Sequence, residues 1–172
     1  MACARLIISY ARPRWHGRTI GMNKTTSSIA YVLNSLIETC KDGQEGFRSA
    51  AERVRSTDCK SLFTELSMQR EQFAGELQRI VGDLGEKIDT SGSFSGAVRR
   101  AWMDLKAAIT SGDEHAILVE CERGEDAAVA EYRDVLDHEE LPASVRHVIE
   151  EQYAVVHASH VRVRDLRDRF ES

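Results

Sequence analysis

Residues 150–160 read EEQYAVVHASH. Glutamates and histidines one or two turns apart on a helix are the donors of a carboxylate-bridged metal centre, so iron chemistry is the first reading to test. In helical bundles that chemistry takes a Glu from each of two helices and a Glu-x-x-His from each of the other two, all facing inward. The i, i+3 spacing matters because it puts both ligands on one helix face. Three residues after Glu150 stands Tyr153, and three after Glu151 stands Ala154. His157 and His160 are themselves i, i+3, but neither follows a Glu at that spacing. The stretch lacks the motif.

Direction sorts the remaining polar residues, at about 100° of rotation per helical residue. In the last segment Gln152 and His160 fall on the apolar stripe, while Glu150, Glu151 and His157 point away or to its edge. Glu125 lies near the stripe of the segment before it, with Glu120 and Glu122 at its border. Around residue 70, Gln69 and Arg70 lie near the stripe, and Glu65 and Glu76 flank it. Glu38 and Glu45 point nearly opposite to theirs. The inward polar set is therefore Gln69, Arg70, Glu125, Gln152 and His160. It offers one carboxylate and one imidazole beside a cation that repels metal ions. Such a set suits a buried hydrogen-bonded network, with Arg70 as a forked donor to Glu125 and with Gln152 and His160 completing the pairing. Glu125 and His160 remain the metal candidates, iron foremost, and a small anion at Arg70 is a third possibility. No catalytic residues stand out: there is no nucleophile–base pair, phosphate-cradling glycine loop or aromatic-interleaved basic patch.

These residues need helices to position them. Apolar residues from Ile29 to Val54 recur at alternating three and four, which predicts one helix over about 27–55. Asp58 is the expected N-cap of a second helix, which Gly85 closes. The loop EKIDTSGSFSG leads to a short third helix over about 95–110, carrying Trp102 on a narrow apolar stripe suited to covering the outside of a bundle. In SGDE, Ser111 with Glu114 reads as a capping box for a fourth helix that runs to about residue 138. Pro142 opens the fifth as its first residue. The first–second and fourth–fifth connections are short, which makes those neighbours antiparallel. The connection between second and fourth is long enough to span a bundle, so those two can run parallel. All-α, with four long helices and one long crossover carrying an extra short helix, is ferritin-like connectivity.

Composition agrees. A formal net charge of -5 argues against nucleic acid as the main partner. Prolines number two and aromatics are few, without alternating strand patterns. Cys3, Cys40, Cys59 and Cys121 form no CxxC pair, and with no secretory signal they read as reduced thiols in a cytoplasm. Residues 1–21 are arginine-rich and acid-free, as organellar transit peptides are. Met22, followed by NKTTSS, reads as the start, with 1–21 an unstructured, dispensable extension and 22–172 a single domain. No stretch reaches the roughly 18 apolar residues of a membrane span.

The stretches LNSLIETCKDGQEGF, QREQFAGELQ, TSGSFSGAVRRAW, ILVECERGEDAAVAEY and EEQYAVVHASHVRVR resemble a family of bacterial ferritin-like four-helix-bundle proteins of unknown function. The resemblance covers about residues 25–169. It implies the fold and a bacterial, cytoplasmic setting, and supplies no catalytic residues. The expectation is a non-enzymatic bundle with no complete di-iron site and no cofactor. It would act through self-association or a protein partner, away from membrane and nucleic acid. A metalloprotein with a divergent iron or other metal centre in the core is the alternative.

Overall fold

The computed structural model describes residues 22–88 and 96–170, which form five helices and no strand. They are α1 (Met22–Arg53), α2 (Thr57–Asp83), α3 (Gly96–Ser111), α4 (Glu114–Leu136) and α5 (Ala143–Phe170). Residues 1–21, expected to be a bare extension, lie outside the described ones, as does the Trp102 side chain. Helix α1 begins at Met22 rather than near Ser27, because the polar lead residues continue the helical turn.

The four long helices form a ring in which α1 packs on α2 and α4, and α5 packs on α4 and α2. Side chains at the ends set the directions. Ser27 Oγ donates to Glu86 beyond the end of α2 (3.2 Å), and Ser28 Oγ bonds His138 beyond the end of α4 (3.3 Å). At the other end, Glu114 at the start of α4 accepts from the backbone N–H groups of Arg55 and Ser56. Helix α1 is therefore antiparallel to both α2 and α4, and α2 runs parallel to α4. Helix α3 lies across the outside of α1 and α4. It is anchored by Leu105, which is buried among Phe47, Phe63 and Ile117, while Met103 faces solvent.

The core has two apolar halves. One gathers Leu33, Leu36, Phe73, Leu77, Tyr132 and Ile149; the other gathers Phe47, Phe63, Leu66, Ile117, Leu118 and Val163. Phe47 and Phe63 stack with ring centroids 5.8 Å apart. The halves meet at the level of Gly43, Arg70, Glu125 and Ser159, all buried.

Local chemistry places the ends, with three differences from the sequence reading. Ser56 caps α2, its hydroxyl accepting from the Cys59 N–H, and Asp58 sits in the first turn, where a negative charge suits the helix dipole. Asp113 caps α4, its carboxylate accepting from the His115 and Ala116 N–H groups. Ser111 still belongs to α3, and Glu114 is drawn away from any capping box by the two free N–H groups at the α1–α2 turn. Pro142 stands just before α5, its carbonyl accepting the first helical bonds from Val145 and Arg146. Gly85 and Gly112 end α2 and α3 at φ of 74° and 72°, the left-handed conformation that glycine adopts without strain.

Asp113→Ala is expected to cost about 1 kcal/mol by urea denaturation, and Ser111→Ala less than about 0.5 kcal/mol. The reverse order would restore the Ser111 capping box.

Candidate functional site

The middle of the ring holds a charge pair. Nη2 of Arg70, on α2, donates to both oxygens of Glu125, on α4, at 2.6 and 2.8 Å. The two side chains are 1 % and 0 % exposed. No Cα of α2 comes within 8 Å of one of α4, so these helices are diagonal and the two long side chains meet across the core. The guanidinium does not close on the carboxylate as a two-nitrogen fork. Its Nη1 donates instead to Gln69 Oε1 (2.7 Å), which also accepts from Ser159 Oγ of α5 (3.1 Å). Gln69, next in sequence to Arg70, is within reach of Nη1 and takes it.

The stem of Arg70 lies against α1 at Gly43: a Cβ there would stand 3.4 Å from Cγ and 3.5 Å from Cδ of Arg70, ordinary van der Waals contact. The guanidinium also sits 5.9 Å from the centroid of the Phe73 ring. Burial acts most strongly, to lower the Arg70 pKa, but the Glu125 charge and hydrogen bond together with Cys40 and Tyr132 outweigh it and the pKa is raised. Burial pushes the Glu125 carboxyl up against the opposing pull of Arg70.

A second polar chain lies beside the first. Tyr132 Oη donates to Gln152 Oε1 (2.8 Å), and Gln152 Nε2 donates to Glu76 Oε2 (2.9 Å). With its proton directed to Gln152, the tyrosine accepts from the Cys40 thiol at 3.2 Å. The chain links all four long helices, from a half-buried carboxylate on α2 to a sealed thiol on α1. Burial pushes the Cys40 thiol and the Tyr132 phenol up, Tyr132 well above its usual value, so both stay protonated donors.

The residues that sequence direction grouped thus fall into three sets. Gln69, Arg70 and Glu125 meet. Gln152 is buried but bonds Tyr132 and Glu76. His160 leaves the group: Ser159 takes the inward position, while His160 Nε2 lies 2.8 Å from Asp126 Oδ1 and 4.0 Å from Glu122 Oε1 at the α4–α5 boundary. Glu122 is also bonded by Arg167. The two metal candidates therefore have separate partners, Arg70 for Glu125 and Asp126 for His160. Among the described residues no three His, Cys, Asp or Glu side chains are arranged to hold a metal ion. Sequence direction missed Tyr132, Cys40 and Ser159 as polar participants. Tyr132 and Cys40 look apolar on a helical stripe, and Ser159 is separated from His160 by a single step of rotation.

Residues 28–138 match the family described as Domain of unknown function (DUF2383). The chain belongs to that family. In this DUF2383 protein the matched stretch carries both Arg70 and Glu125, together with Gly43, Cys40 and Tyr132, while Gln152 and Ser159 of α5 lie beyond it. A search of curated proteins finds no match.

Two outcomes are expected of this site. Glu125→Ala leaves a buried cation and should cost about 3–5 kcal/mol, whereas replacing Arg70 and Glu125 together by Met and Leu should cost far less; a double-mutant cycle in denaturant measures the coupling, and additive effects would refute it. The thiols of Cys40, Cys59 and Cys121 are all buried with raised pKa values. In a Cys3→Ser chain, a thiol reagent should therefore react on the order of a thousandfold more slowly in buffer than in denaturant.

Proposed function

We propose that this DUF2383 protein is a ferritin-like bundle without enzymatic activity, which works by association with a second copy or with another protein, in a bacterial cytoplasm. The observation that supports this most is the mutual neutralisation of Arg70 and Glu125. A carboxylate that binds metal or moves protons must exchange its partner. Glu125 is held through both oxygens by one guanidinium in a site without solvent access, and parting them would strand two buried charges. The ferritin-like part of the reading is supported by the parallel α2 and α4 and the crossover helix α3 between them. No described helix is long and apolar enough to cross a membrane.

The second reading is an iron or other metal centre in the core. It requires Glu125 to leave Arg70 and His160 to leave Asp126. Metal analysis of protein made in iron-replete cells separates the two. The expected result is no stoichiometric metal. About two irons per chain, the content of a di-iron bundle, lost in Glu125→Ala, would overturn the proposal.

A further inference from the structure

The outer face of α2 and α5 is built so that it can mate with itself. Three cross-helix bonds fix the relative heights of these helices: Glu65 with Arg162 (2.7 Å), Gln69 with Ser159 (3.1 Å) and Glu76 with Gln152 (2.9 Å). By that register, a point midway between Met68 and Gly75 on α2 is level with the point midway between Val155 and Ala158 on α5. The same level also lies midway between Glu151 and Arg162. One two-fold axis crossing both helices at this height therefore relates every one of these pairs.

The pairs are complementary. Met68 is 66 % exposed. Its symmetry partner position is Gly75, where an added Cβ would meet nothing within 4 Å. Val155, 40 % exposed, comes opposite exposed Ala158. At the rim, exposed Glu151 comes opposite Arg162 of the other copy, whose guanidinium is already aligned by Glu65. Antiparallel helices related by a two-fold form an isologous contact in which each pair occurs twice.

We propose that the α2–α5 face is a homodimer interface, with Met68 of each copy seated over Gly75 of the other and Glu151 paired across the two-fold with Arg162. This rests on the self-association reading above. The apolar centre is small and the rim charged, which fits a reversible dimer rather than an obligate one.

The test is sedimentation velocity of the full chain over a wide concentration range, with two variants. Gly75→Gln introduces a good helix former at a helical glycine of ordinary φ. It should raise the thermal midpoint by about 2–4 °C while weakening dimerisation about tenfold or more, by filling the Met68 seat. Met68→Asp should weaken dimerisation similarly and leave the monomer folded, since that side chain faces solvent. A concentration-dependent dimer weakened by both variants supports the interface. A dimer indifferent to both overturns this inference and leaves self-association standing. A monomer at every concentration overturns both the interface and self-association.

Discussion

The constraint on which the structure turns is the meeting of Arg70 and Glu125 across the diagonal of the ring. Two opposite charges in an apolar interior are tolerable only in contact. That requirement sets the relative heights of α2 and α4, helices whose backbones stay apart across the core. An apolar core alone would accept a shift by a turn with modest loss, because one layer of leucines resembles the next. A single charged layer does not, and it lies where the two apolar halves meet.

The neighbouring positions follow from that pair. Gly43 on α1 packs against the arginine stem. Gln69 accepts from the guanidinium nitrogen that Glu125 leaves free, and Ser159 donates to the same Gln69 oxygen. The Cys40–Tyr132–Gln152–Glu76 chain ties the same four helices together at a second level. Two polar layers, each contributed to by helices from both hairpins, specify how one hairpin docks on the other. The closed connections at the ends do not.

The same closure bears on function. In the proposed reading, a charged group held by its opposite in a sealed layer is a structural element, and association uses the surface. There the α2–α5 face combines exposed Met68 and Val155 with opposed charges. Its polar cross-helix bonds keep the two helices in register and so keep the face in one shape.

By itself the sequence determined the all-helical class, the number of helices and most of their inward faces. Those are local properties: periodicity, caps and closing glycines act within a few residues. It also placed Gln69, Arg70, Glu125 and Gln152 inward, because direction on a helix follows from counting. Only tertiary structure decided who meets whom. The 100° between Ser159 and His160 exchanged a hydroxyl for an imidazole in the core, because the angle at which α5 packs, not its own periodicity, defines its buried face. Tyr132 and Cys40 joined the polar set only because Gln152 comes to them from another helix. The Ser111 and Asp58 caps gave way to Asp113 and Ser56 for a like reason at the α4 end: Glu114 was claimed by N–H groups of a turn 58 residues away in sequence, a partner that no local pattern contains.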